Sequence, residues 1–223
     1  MCEFERYLRA TACLDSGHPA VRALAQDAAG GTADPTQRAV RVYYAVRDGL
    51  RYDPYGIELT VRGLTASRVL QRGRGFCVAK AGVLAAAARA LGIPSRLGFA
   101  DVRNHLATAR LRALMGTDVF YYHGYAELLL DGRWVKATPA FNLELCRRFG
   151  VLPLEFDGRT DSIFHPFDES GHRHMEYLRD RGTRDDMPVD ELREAMARHY
   201  PGMQVAGPDG DFETERIAES PGG

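Results

Sequence analysis

A chain of 223 residues with 45% hydrophobic and 26% charged content suits one soluble domain with a sizeable core better than two. A formal net charge of -1 offers no field to draw nucleic acid or an anionic membrane, and no run of about 18 apolar residues reads as a transmembrane helix. The opening Met-Cys-Glu-Phe-Glu-Arg lacks the basic-then-apolar order of a signal peptide, and Cys2, Cys13, Cys77 and Cys146 lack metal-ribbon or disulfide spacing, so a reducing, cytoplasmic setting is expected.

The first third reads as helical. Pro19 starts a helix through Ala29 that Gly30 and Gly31 stop. Asp34 caps a second helix with Pro35 at its first position; its apolar face is Ala39, Val42, Tyr43, Val46 and Leu50. Thr65 is a plausible cap for a short helix from Ala66 to Leu70. After Gly73-Arg-Gly-Phe-Cys77, residues 77–91 are nearly all alanine, valine and leucine, with Lys80 and Arg89 as exceptions. A helix apolar on most sides is a buried one. Beyond Pro94 the pattern turns extended. Strands are predicted at Arg96–Val102, Phe120–Leu130 and Arg133–Ala137, the last two joined by a hairpin at Asp131-Gly132. The insertion Arg103–Asp118 carries Leu106, Leu111, Leu114 and Met115 at helical spacing and is expected to border the cleft. The segment from Asn142 to Gly182 is rich in turns and poor in periodicity. Asp190 starts a last helix through His199, and residues 204–223, polar and rich in Gly and Pro, are expected to be disordered. The fold class is α+β: a helical N-terminal lobe and a buried cysteine-bearing helix packed on an antiparallel sheet, in one domain over 1–203 with its core at about 35–142.

Cys77 stands where a glycine-rich turn meets a buried helix. A helix N-terminus stabilises a thiolate, and Arg72, Arg74 and Lys80 add positive charge nearby in sequence. The same N–H groups could face an oxyanion. Set against this, most single cysteines are inert, buried hydrophobes. His123 supplies the second clue. With a two-residue turn, Leu130 faces Arg133, and continued pairing sets His123 opposite Ala140. Thr138 and Asn142 then share the histidine's face.

GRGFCVAKAGVLAAAARALGIPSRLGF resembles the transglutaminase-like core, whose cysteine begins a helix ending in a Gly-Ile-Pro-x-Arg turn. YYHGYAELLLDGRWVKATPAF resembles its histidine strand, hairpin and third strand. SGHPAVRALA and AVRDGLRYDPY are similar to bacterial members. The similarity covers roughly residues 15–142. It implies that Cys77 is a nucleophile and His123 its general base and later general acid. The family usually places an aspartate in an Asp-Pro pair after the tryptophan strand; here the pair is Thr138-Pro139. Threonine can accept a hydrogen bond from the imidazole but cannot offset its charge. Asn142 and, from the first strand, Asp101 are the alternative orienting residues. Gln71, six residues before Cys77, matches the spacing of an oxyanion glutamine in papain-like enzymes, although an exposed residue near a helix end has the same signature. Asp101, Tyr121 and Tyr122 are candidate substrate-lining residues.

The resemblance implies acyl transfer at amide bonds of a peptide, protein or small amide, with hydrolysis favoured over cross-linking because cross-linking demands a dedicated amine site. The alternative is a non-catalytic binding module that kept the fold and lost the triad carboxylate. No cofactor is implied. No EF-hand-like loop is present, so the calcium requirement of animal transglutaminases is not carried over. His165, Asp168, His172 and His174 could form a metal cluster, but their spacing matches no metal motif, and a loop covering the cleft is the plainer expectation.

Overall fold

The computed structural model describes residues 4–105, 107–164, 171, 174–204 and 212. Four helices, one of them a single turn, build the N-terminal lobe. α1 (Pro19–Ala29) begins at His18, whose ring Nδ1 accepts the Ala20 N–H, and ends at Gly30. α2 (Pro35–Gly49) is capped by Asp34, which accepts the Thr36 N–H at 3.0 Å, as the sequence suggests. β1 (Arg51–Tyr52) follows directly, then a single turn, α3 (Val61–Leu64). α4 (Ala66–Arg72) starts after Thr65, but that hydroxyl donates backwards to Val61 O at 2.7 Å instead of capping forwards. β2 (Arg74–Gly75) pairs in parallel with β1, which pins the glycine-rich entry to the cysteine helix.

α5 (Cys77–Ala90) is buried along almost its whole length. Its two charged exceptions are held by carbonyls. Lys80 Nζ donates to Arg47 O at 2.8 Å and Leu50 O at 2.6 Å, at the negative end of α2. Arg89 donates to Arg9 O, Ser95 O and Asp185 O. α5 packs on a sheet of β3 (Ser95–Asn104), β4 (Val119–Leu130), β5 (Arg133–Ala137) and β6 (Met175–Arg184), in the order β5-β4-β3-β6 and antiparallel throughout. The hairpin register is the expected one, from Leu130 opposite Arg133 to Ala126 opposite Ala137. There the ladder stops. The Thr138 N–H turns to Ser162 O at 3.1 Å, so the projected pairing of His123 with Ala140 is not part of it.

Between β3 and β4 lies α6 (Ala109–Met115), the helix anticipated in the insertion. α7 (Leu143–Phe149) and the edge strand β6 fall in the segment that reads as turns, and both are corrections to it. α8 (Val189–His199) starts one residue before Asp190, which lies in the first turn and is not the cap. Of the terminal residues expected to be disordered, Phe212 is buried against Tyr52, Tyr55 and Phe149. Among the described residues no helix is long and apolar enough to cross a membrane.

Candidate active site

Cys77 opens α5 and His123 lies on β4, and both line one pocket. Cys77 is 7% exposed and His123 3%. Gly124 is what lets their two elements pack this closely. A Cβ there would lie 2.8 Å from Val78 Cα, so only glycine admits the first turn of α5 this close to β4. The backbone N–H groups of Gly124, Val78 and Cys77 itself lie near enough to the thiol to favour its charged form.

Burial dominates the electrostatics. It pushes the Cys77 thiol up to about 11, against the pull of those three N–H groups, and pushes the His123 imidazolium down to about 4. Near neutral pH the thiol and the imidazole are therefore both uncharged. This corrects the expectation of an acidic Cys77. The basic residues close in sequence are committed elsewhere: Lys80 to α2, Arg72 to Glu58 and Gly63 O, Arg74 to Asp53. Cys13 and Cys146 are pushed up as well, to about 12 and about 11, so acidity does not single out Cys77. What distinguishes Cys77 is that it shares its pocket with His123.

His123 packs on Phe164, with centroids 5.1 Å apart. Its Nε2 is buried with no hydrogen-bond partner among the described residues, and the buried Oγ1 of Thr138 is in the same position. Asn142 and Asp101 do not orient the ring through that nitrogen. The Asn142 Oδ1 accepts the Tyr52 N–H at 3.2 Å. Asp101 is clamped by Arg181, with 2.7 Å from Nη2 to Oδ2, and its Oδ1 accepts the Tyr122 N–H at 3.2 Å. Nor does Asp101 line the pocket. Gln71 is exposed on α4, accepts from Arg68 Nη1 and faces a separate groove with His18 and Leu24, so it supplies no oxyanion donor. Tyr121 and Tyr122 do line the pocket, as do Leu111 and Met115 of the insertion.

Sequence reasoning missed the remaining walls, chiefly Tyr52, Phe120, Leu192, Met196, Tyr200 and Met203. The spacing of Leu192 and Met196 on an amphipathic helix was the available signal. His174 is buried beside Phe164, at 5.7 Å between centroids; His165, Asp168 and His172 lie outside the described residues. No group of three potential metal ligands occurs among the described residues.

The sequence matches the family model of the transglutaminase-like superfamily over residues 22–139, more than half of the chain. No curated protein matches it. Among solved structures it is similar to a candidate cysteine protease from Cytophaga hutchinsonii, at 16% identity and TM-score 0.52, over 83% of this chain and 48% of that one. A candidate protease from Parabacteroides distasonis aligns at 15% identity and TM-score 0.38, over 57% of this chain and 26% of its own. The present chain thus spans about half the length of the first of these or less. A cysteine opening a buried helix, a histidine on the neighbouring strand and a hairpin beyond it are held together by the segment the family model covers; the chain belongs to the transglutaminase-like superfamily.

Proposed function

We propose that Cys77 and His123 carry out acyl transfer at an amide bond, with water as the final acceptor. The observation that carries this reading is one pocket holding a buried thiol and a buried neutral imidazole, with the backbone N–H groups of Gly124, Val78 and Cys77 near the thiol. As the Cys77 sulfur attacks the carbonyl, its proton passes to a ring nitrogen of His123. The imidazolium returns that proton to the leaving amine as the C–N bond breaks. Water, deprotonated by the same imidazole, then attacks the thioester; the C–S bond breaks, the acid is freed, and the imidazolium returns its proton to the Cys77 sulfur. The backbone donors around Cys77 take the oxyanion role for which Gln71 was considered. Thr138 occupies the place of the family's carboxylate and leaves the imidazolium without a counter-charge.

A second reading, a binding module without turnover, draws on that same threonine and on a thiol that burial pushes up to about 11, which keeps it protonated near neutral pH. An electrophilic acyl ester with mass-spectrometric mapping separates the two. For a general-base site, Cys77 acylates at pH 7 and His123→Ala slows it by at least about 100-fold. Alkylation by iodoacetamide in the same variant climbs about tenfold per pH unit up to about 11. Acylation of Cys77 no faster than Cys146, and indifferent to His123, decides for the binding module.

A further inference from the structure

The pocket that holds Cys77 and His123 is a slot of about 50 Å³, room for about four water-sized groups. Among the described residues no Asp, Glu, Lys or Arg lines it. Its walls include Tyr52 on β1, Leu111 and Met115 on α6, Phe120 on β4, Leu192 and Met196 on α8, and Tyr200 beyond it. The Tyr200 hydroxyl is spent on Val119 O, and that of Tyr122 lies against Glu191. A charged group entering here would lose its water and meet no charged side chain of opposite sign among the described lining residues, only a neutral thiol, a neutral imidazole, tyrosine hydroxyls and hydrocarbon. Outside, Ile57, Leu59, Met196 and Met203 are shared with an open groove of about 820 Å³, edged by Glu58, Arg72, Arg74 and Arg193. The polar remainder of a substrate has its place there.

We infer that the side chain next to the scissile carbonyl is a short branched aliphatic one, of leucine or valine size, and that the slot rejects glutamate, lysine and glutamine at that position. The inference rests on the acyl-transfer reading of the site. Acetyl-leucyl, -glutaminyl, -glutamyl and -lysyl aminomethylcoumarin amides test it through kcat/KM. Leucyl is expected to exceed the charged pair by at least about 100-fold. Met196→Lys, at the half-buried mouth, is expected to cut the leucyl-over-glutamyl preference at least tenfold. Cys77-dependent turnover with glutamyl or lysyl equal to leucyl overturns the slot and leaves the acyl-transfer reading standing. If nothing turns over, that reading fails, and protection of Cys77 from iodoacetamide still reads the slot: 4-methylvaleramide is expected to protect at concentrations at least tenfold below glutaramate, and equal protection overturns it.

An independent observation concerns the residue before the histidine. Ala100 pairs with His123 and Val102 with Phe120, so Asp101 faces two residues, Tyr121 and Tyr122, and β4 carries a bulge. Tyr122 adopts φ 56°, a conformation costly for a bulky side chain. The Asp101 carboxylate accepts its N–H, and Arg181 both clamps Asp101 and covers the Tyr122 ring at 4.8 Å. The geometry points to Asp101 as a positioning residue that aims His123 through this strained turn. Asp101→Ala is expected to lower kcat about 30-fold with KM nearly unchanged and to move the NMR titration of the His123 ring; Asp101→Asn, which keeps an acceptor, recovers part of kcat. Glycine takes φ 56° without penalty. In a Tyr122→Gly background, Asp101→Ala should therefore cost less than about threefold. A full loss in that background, or an unmoved His123 titration in Asp101→Ala, overturns the role.

Discussion

Thr138→Asp is expected to raise the rate of Cys77 acylation at neutral pH by about 10³-fold or more, the reverse of losing a triad carboxylate. Two atoms are orphaned here, His123 Nε2 and Thr138 Oγ1, both buried without a hydrogen-bond partner among the described residues. Burial alone holds the imidazolium at about 4, because nothing stabilises its charge. A carboxylate on this residue accepts from the ring and favours the charged form, so the His123 pKa rises towards neutrality. The sign for the thiol is opposite: an imidazolium beside Cys77 draws its pKa down from about 11. Alkylation of Cys77 should then gain a plateau near neutral pH in place of a steady climb. The measurement is the pH–rate profile of Cys77 in both proteins, with the His123 titration by NMR. An unchanged His123 titration in a folded Thr138→Asp protein would show that residue 138 does not address the ring.

Gly124→Ala should cost about 3 kcal/mol of stability and at least about 100-fold in acylation rate, a large penalty for one methyl group. The added Cβ would lie 2.8 Å from Val78 Cα and 2.9 Å from its Cγ2. The nearest of these is backbone, so no side-chain rotation relieves the clash. α5 cannot retreat either, since it is buried on nearly every side. The first turn must tilt away from β4, which separates the Gly124 N–H from the Cys77 sulfur and the thiol from His123. Urea unfolding reads the first effect and acylation kinetics the second. Gly49→Ala is the control: nothing lies within 4 Å of its Cβ position, and it should be neutral or slightly stabilising. Equal behaviour of the two variants would refute the close-approach argument.

Much of this architecture is written locally. Pro19, Asp34 with Pro35, and Asp131-Gly132 announce themselves through fixed φ, a side-chain cap and a two-residue turn, and each is decided within a few residues. The apolar run of α5 is equally plain. β6 is not, because MEYLRDRGTR is an edge strand with a mostly exposed middle and register shifts at two points against β3. Charges that protect an edge from further pairing also erase the alternation by which a strand is read. The site divides the same way. The cysteine and histidine are legible from their elements, whereas the commitments of polar side chains are tertiary facts. Asn142 has a carbonyl to offer, but the Tyr52 N–H claims it; Asp101 has a carboxylate, but Arg181 and Tyr122 hold it. Arg72, Arg74 and Lys80 look like an electropositive surround in the sequence and dissolve into three unrelated contacts in space.

Lys80 has a practical side. Only two lysines occur in the whole sequence, Lys80 and Lys136. The first is fully buried and its ammonium is engaged by the end of α2; the second is half-buried on β5, its Nζ 5.2 Å from the centre of the Tyr125 ring. An acyl group resting on Cys77 thus has no free amine on the same helix to migrate to, although Lys80 stands only three residues away. Under the proposed chemistry the protein would also be a poor amine partner for its own thioester. For the bench, the lysine side chains amount to one address: a label on a lysine sits on Lys136 at the hairpin strand, outside the slot.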